Sequence, residues 1–226
     1  MRNIVITGSE GLIGTQLCKF FEKNKNVKVT KLDLTLGHDL TNEQFVKKWF
    51  KENHADYLVN CFGINDHVSK DKKRHTLFDF PLEAFSKYLE SNVVSLFSVC
   101  REFAKNNKRG AIVNFSSTHG IISPDPYLYN GYHKDVGYAV SKAGVINLTK
   151  YLSVHLAPRI RVNCIVAQGV LANQDKKFIK NLSKVIPLGR LMNKSELNDL
   201  VDYLSSEKSS FVTGSIVIID GGYTSW

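Results

Sequence analysis

Long apolar runs are absent. No stretch of the 226 residues approaches the roughly 18 consecutive apolar positions that a bilayer-spanning helix needs, so a membrane protein is not expected. The amino terminus, Met1-Arg2-Asn3-Ile4-Val5-Ile6, reaches Gly8 too soon to form a signal peptide. Cysteine is scarce. Cys18, Cys61, Cys100 and Cys164 lie far apart, each inside an apolar pattern and without metal-ligand spacing. They are expected to be reduced, buried thiols of a cytoplasmic protein. Repeats, low-complexity tracts and linkers are missing too, as is any stacked-aromatic and basic motif of a nucleic-acid binder. Charge is not lacking: 30 basic against 21 acidic residues give +9, which admits anionic ligands such as a phosphorylated substrate. The lysines are scattered, however. Their densest cluster, Lys70-Asp71-Lys72-Lys73-Arg74-His75, falls in a polar stretch that reads as a solvated loop.

With 43% hydrophobic and 23% charged residues, the chain has the balance of one soluble domain over 1–226. Asn3 to Thr7 is a buried-strand pattern. Gly8-Ser9-Glu10-Gly11-Leu12-Ile13-Gly14 follows, and then a helical run through Leu17, Phe20 and Phe21. A strand, a glycine turn and a helix in that order let backbone N–H groups approach a pyrophosphate at the positive helix end. A second strand from Val27 ends in Asp33, roughly 20 residues past the turn, where an acid accepts the adenosine ribose hydroxyls and repels a 2′-phosphate. That favours NAD over NADP. The alternative is a simple turn aspartate.

The spacing after Asp33 is short. Gly37-His38-Asp39-Leu40-Thr41 follows at once, leaving no room for the crossover that parallel neighbours need. Either the crossover is irregular or one strand is missing. A helix starts at Thr41-Asn42, and the next strand ends at Asn60-Cys61-Phe62-Gly63. Residues 64–80 read as loop. A long helix then runs from Pro81 to about Asn107, with Asn92 in its middle, where asparagine is a poor helix former. Its many apolar positions predict two buried faces, one of them available to another subunit. The strand ending at Ser116-Ser117 is followed by an irregular segment, 119–137. Two more strands end at Gln168-Gly169-Val170 and at Asp220-Gly221-Gly222, with helical stretches near 173–184 and 194–206 between them. Alternating strands and helices predict an α/β fold: a Rossmann-type, doubly wound parallel sheet with helices on both faces.

Tyr138 and Lys142 stand at i and i+4, on one face of the helix that follows. A phenol is a poor base near neutral pH, and a cation beside it favours the phenolate. Such a pair can move protons. The same spacing also suits a half-buried aromatic beside a solvated lysine, and only the other motifs decide between these.

In order and over nearly its whole length, the chain resembles the short-chain dehydrogenase/reductase family. Thr7 to Gly14 matches the family's dinucleotide turn, Asp33 its ribose acid, and Asp39-Leu40 its adenine contact. Asn60-Cys61-Phe62-Gly63 is similar to its Asn-Asn-Ala-Gly turn, and Asn92, Ser117, Tyr138 and Lys142 to its catalytic tetrad. The resemblance implies a homodimer or homotetramer that passes a hydride between a nicotinamide dinucleotide and an alcohol or ketone. Tyr138 would be the general acid/base and Lys142 would lower its pKa and hold the nicotinamide ribose. Ser117 would hold the substrate oxygen, and Asn92 would support a proton relay through Lys142. Gly8, Glu10, Gly11, Leu12, Ile13, Gly14, Asp33, Asp39, Leu40, Asn60, Cys61, Phe62, Gly63, Gly169 and Val170 would join Tyr138 and Lys142 around the cofactor.

Three departures stand out. The helix after Asp33 is nearly deleted, and with it a loop that commonly supplies NADP-binding cations. Gln168 replaces the usual proline. The gap between Ser117 and Tyr138 is long, which makes 119–137 a substrate-pocket insertion. Ser123-Pro124-Asp125-Pro126 with Tyr129-Asn130-Gly131 is similar to oxidoreductases of flagellin-modification and surface-sugar pathways, implying a sugar or nucleotide-sugar substrate. Rival readings are a non-catalytic dinucleotide sensor or scaffold, and an epimerase or dehydratase of the same fold.

Overall fold

Strands and helices alternate along the chain as the apolar periods require. The structure is a computed structural model that describes residues 1–65, 76–129 and 134–225. The Lys70–His75 cluster, together with Asn130, Gly131 and Tyr132 of the insertion, lies outside the described residues. β1 (Arg2–Thr7) leads through α1 (Leu12–Phe21) to β2 (Val27–Leu32), and α2 (Glu43–Glu52) leads on to β3 (Tyr57–Asn60). α3 (Leu82–Leu89), a π-helical turn (Glu90–Val94) and α4 (Ser95–Asn106) precede β4 (Gly110–Ser117). α5 (Val136–Leu156), β5 (Ile160–Ala167), α6 (Lys176–Val185), α7 (Asn198–Leu204) and β6 (Ile216–Ile219) complete the order. The strands form one parallel sheet, β2-β1-β3-β4-β5-β6.

That order explains the short passage after Asp33. β2 is the edge of the sheet. The chain leaves it through a 3₁₀ turn (Leu34–Leu36) and crosses by α2 to β3 on the other side of β1, so α2 is itself the crossover and the short passage before it is only its entry. Lysines occupy the exposed edge, where charge discourages pairing with another chain. Lys28 is solvent-facing, and Lys31 is held 2.7 Å from Glu22.

Two apolar layers sandwich the sheet. Val46 and Phe50 of α2, Val99 and Phe103 of α4, and Val145 of α5 pack on one face. Leu17 and Phe21 of α1 with Val201 and Leu204 of α7 pack on the other. A smaller cluster around Leu182 and Ile186 of α6 includes Leu128 of the insertion. Parallel strands covered on both faces read as continuous apolar runs, which is why they were visible in the sequence.

Inside this apolar sandwich runs a polar ladder. Thr7 Oγ1 donates to Asn60 Oδ1 at 3.0 Å, Asn60 Nδ2 to Asn114 Oδ1 at 2.9 Å, and Asn114 Nδ2 to Thr149 Oγ1 at 3.0 Å. All four residues are buried. The ladder pins the register of β1, β3 and β4 to α5 near the carboxyl ends of the strands. Asn114→Leu keeps the branched shape but takes away the 2.9 Å acceptor of Asn60 Nδ2, which retains only a 3.4 Å contact to Cys100 Sγ. An orphaned buried donor costs about 1–3 kcal/mol, and the urea midpoint of the variant should fall accordingly.

The long helix expected between Pro81 and Asn107 is interrupted by the π-turn, which a periodic apolar pattern does not reveal. The insertion is not wholly irregular: Thr118–Gly120 and Pro126–Tyr129 are 3₁₀ turns. Cys18, Cys100 and Cys164 are buried as expected, but Cys61 is only half-buried; no disulfide joins any of them. Among the described residues, no helix is long and apolar enough to cross a membrane, and no three His, Cys, Asp or Glu side chains are grouped to hold a metal ion.

Candidate active site

The carboxyl ends of β1, β3, β4 and β5 share one edge, and the residues singled out in the sequence gather there. Gly8 takes φ +64°, and a Cβ on it would lie 2.5 Å from the Phe62 nitrogen. Both its conformation and the close passage of the β3 turn require glycine. Gly14 sits so tightly on the turn that a Cβ would fall 2.0 Å from Gly8 O. Gly11 is different. Its φ is −75°, it is exposed, and an added Cβ would meet only Gly8 O, at 3.2 Å. Gly11 caps α1 without a side-chain hydrogen bond. The N–H groups of Leu12, Ile13 and Gly14 find no acceptor among the described residues. These N–H groups, the positive end of the helix dipole and the bare Gly11 backbone suit a diphosphate. The residues present therefore fit a dinucleotide.

Asp33 joins this turn to the next. Its Oδ2 accepts from Glu10 N at 3.1 Å, and its Oδ1 accepts from Thr35 N at 2.9 Å and Thr35 Oγ1 at 2.8 Å. Burial works to raise its pKa, but the hydrogen bonds from Thr35 and Glu10 outweigh it and hold the carboxyl below its usual range. Asp39 is likewise lowered by Thr41, whose hydroxyl and N–H donate to Oδ1 at 2.7 and 2.9 Å. The Leu40 side chain is buried in the core. Asn60 spends its side chain on the ladder, while Cys61 N donates to Thr7 O at 3.0 Å and burial pushes the Cys61 thiol up.

Asn92 lies in the π-turn, where one extra residue per turn re-aims a side chain. Its carboxamide accepts from Ile64 N at 2.8 Å and donates to Ile64 O at 3.1 Å and to Ser141 Oγ at 3.0 Å. Ser141 Oγ in turn donates to Tyr138 O at 2.8 Å. Asn92 thus ties the Gly63 turn to α5, and none of these hydrogen bonds goes to Lys142.

Ser117 ends β4, and Tyr138 is on the first turn of α5. Two close approaches bring that helix in: a Cβ on Gly137 would meet Tyr88 Cδ2 at 2.8 Å, and one on Gly120 would meet the Lys142 carbonyl carbon at 2.6 Å. Ser116 Oγ also donates to Lys142 O at 2.7 Å. Tyr138 is 7% exposed. Burial raises its pKa, and the Ser117 hydroxyl opposes that rise. Lys142 Nζ stands 5.8 Å from the Tyr138 ring centre and donates to Phe115 O at 3.2 Å. Burial lowers its pKa, against the pull of the Cys164 and Cys61 sulfurs. The expected side-by-side pairing is therefore realised as a shared face, with the ammonium turned toward the end of β4.

Beyond β5, Gly169 takes φ +59°, and Val170 bridges in parallel to Met192. Gln168, standing where a proline is usual, accepts from Thr118 Oγ1 at 2.7 Å. It links the β5 turn to the residue after Ser117.

The family model for enoyl-(acyl carrier protein) reductase matches residues 15–224. A short-chain type dehydrogenase/reductase of Sinorhizobium fredii, y4vI, is 32% identical over 256 residues, covering 99% of this chain and 44% of that protein. The chain belongs to the short-chain dehydrogenase/reductase family. Members are oxidoreductases that move a hydride between a nicotinamide dinucleotide and a CH–OH or carbonyl carbon. The chain spans less than half the length of the Sinorhizobium relative. The post-translational flagellin modification protein A of Campylobacter coli is 26% identical, with 97% of each chain covered. A short-chain dehydrogenase of Leptospira borgpetersenii, solved with bound NAD+, superposes at TM-score 0.83 with 31% identity, over 99% of this chain and 92% of that one.

Against this short-chain dehydrogenase/reductase frame, two residues facing Tyr138 went unnoticed in the sequence. Lys134 is buried, and its Nζ lies 4.5 Å from the Tyr138 ring centre and hydrogen-bonds Asn65 Oδ1. The His119 ring meets Tyr138 edge-on at 6.3 Å; burial and the Lys134 charge pull its pKa down to about 4, so the imidazole is neutral. The signal for Lys134 was present, since it stands four residues before Tyr138 as Lys142 stands four after.

Proposed function

We propose that the chain is an NAD-preferring dehydrogenase/reductase acting on an alcohol or ketone, a sugar or nucleotide sugar by class. The observation that carries this is the meeting, on one sheet edge, of a donor-rich helix end, the Asp33 carboxylate and the buried Tyr138 phenol facing Ser117. Leu12, Ile13 and Gly14 would hold the diphosphate through their N–H groups. Asp33 has acceptor capacity left for ribose hydroxyls. The turn after it, Leu34-Thr35-Leu36-Gly37, brings no lysine or arginine to a 2′-phosphate. The bound cofactor supplies or accepts the hydride. Ser117 would hold the substrate oxygen, Tyr138 would exchange its phenolic proton with that oxygen, and Lys142 would hold the nicotinamide ribose. Asn92 would keep α5 and the Gly63 turn in register for that transfer.

The sugar reading rests on the resemblance of Ser123-Pro124-Asp125-Pro126 and Tyr129-Asn130-Gly131 to oxidoreductases of flagellin-modification and surface-sugar pathways, with which the likeness to the Campylobacter flagellin modification protein agrees, and on the net charge of +9, which suits a phosphorylated substrate. Segment 119–137 would shape the pocket. Subunit contacts in a homodimer or homotetramer would use Val94 of the π-turn, Phe97 of α4 and Tyr151 and Val154 of α5, which are exposed. A cytoplasmic home suits the thiols. Binding of NADH and NADPH, followed by nicotinamide fluorescence, tests the cofactor, and a panel of sugars and sugar nucleotides tests the substrate. Asp33→Ala removes charge-assisted hydrogen bonds worth about 1.5–3 kcal/mol each. It should weaken NADH by about tenfold or more while sparing NADPH. Equal wild-type affinity for the two would sink the NAD preference.

A further inference from the structure

Tyr138 has a lysine on each side. Lys142, four residues on, lies 5.8 Å from its ring centre with its ammonium hydrogen-bonded to Phe115 O. Lys134, four residues back and just ahead of α5, lies nearer, at 4.5 Å. Asn65 Oδ1 accepts from it, and it is 8% exposed. A cation within about 6 Å of an aromatic face is attracted to it, more strongly when desolvated. The attraction grows when the ring carries the delocalised charge of a phenolate. Among the described residues, the other groups around the ring are Ser117 from β4, His119 from the 3₁₀ turn, and Tyr88 from α3, edge-on at 6.3 Å. A carboxylate of the same helix entry, Asp135, accepts from Tyr88 Oη at 2.7 Å. His119 lies within reach of the same charge: burial first and the Lys134 ammonium second hold its pKa low.

We propose that Lys134 is a positioning residue for Tyr138, a second ammonium whose charge across the ring face stabilises the phenolate formed when the proton moves to or from the substrate oxygen. This rests on Tyr138 being the acid/base. Lys134 neither gives nor takes the proton.

The test needs no substrate. Phenolate absorbance of the whole chain is titrated with pH, and the wild-type curve minus that of Tyr138→Phe isolates Tyr138. The same subtraction is made in Lys134→Met, in Lys134→Gln, which can still donate to Asn65, and in Lys134→Arg. An opposite charge at this range is worth about 1–3 pH units. The Tyr138 midpoint should therefore rise by about one unit or more in both the Met and Gln variants and stay near wild type in Arg. An unmoved midpoint in both, or a rise in Met alone, overturns the proposal. Turnover of Tyr138→Phe on an accepted substrate separates the two readings. Undiminished turnover there defeats the acid/base role itself, whereas an inactive Phe variant with flat Lys134 titrations defeats only the role of Lys134.

Discussion

Tyr138→Phe is expected to cut turnover by about 10²–10⁴-fold, the range that positioned proton transfer contributes, while NAD+ affinity and the thermal midpoint stay close to wild type. The ring keeps its edge-on neighbours Tyr88 and His119, so the variant loses only the hydroxyl that faces Ser117. The sign of the pH dependence follows from the environment. Burial raises the phenol pKa, so the resting side chain is protonated at neutral pH and ready to give its proton to a carbonyl oxygen. Alcohol oxidation needs the phenolate and should gain rate as pH rises, whereas carbonyl reduction should be favoured at lower pH. Steady-state rates in both directions across pH, for wild type and Tyr138→Phe, check this. A sensor or scaffold that only binds the dinucleotide would show neither the loss nor the pH dependence.

Much of this site could be read from residue order because parallel α/β architecture converts order into place. Strands that end at Asn60 and Ser117, or just before Gly8 and Gln168, deliver those positions to one edge. What escaped the sequence depends on contacts between elements. The Thr7–Asn60–Asn114–Thr149 ladder exists only once the strand register is set. The π-turn that aims Asn92 at Ile64 and Ser141 is set by the packing of α3, α4 and α5 around it and not by the residues of the turn alone. Lys134 belongs to a segment without period, and lysine is rarely buried, so spacing alone did not mark it. The ammonium of Lys142 was placed beside a phenol by helical geometry, yet the carbonyl of Phe115 competes for it. Helix periodicity gives the face on which a side chain lies, not the hydrogen-bond partner it takes there.

Gly14→Ala and Gly11→Ala should separate the fold of the turn from its use. A methyl on Gly14 would come 2.0 Å from Gly8 O and 2.8 Å from Ser9 Cα, and backbone cannot step aside as a flexible side chain can. Either α1 lifts from β1 or the Gly8 turn opens, and the second option disturbs the contact of Gly8 with Phe62. Overpacking of this kind costs about 1–3 kcal/mol. It also displaces the N–H groups of Leu12 and Ile13, so Gly14→Ala should lower the melting temperature and weaken NADH by about 100-fold or more, since even small misplacements of bound groups are expensive. At Gly11 the backbone is already in a conformation open to any residue, and the nearest atom to a new methyl is 3.2 Å away. Its stability should change by no more than about 1 kcal/mol. A methyl there, however, projects into the space a diphosphate would use, so NADH affinity should fall while the melting temperature holds. Thermal unfolding and nicotinamide fluorescence on the two variants read these outcomes. If Gly11→Ala bound NADH as wild type does, the dinucleotide would not lie against this turn, and the donors at the head of α1 would need another ligand.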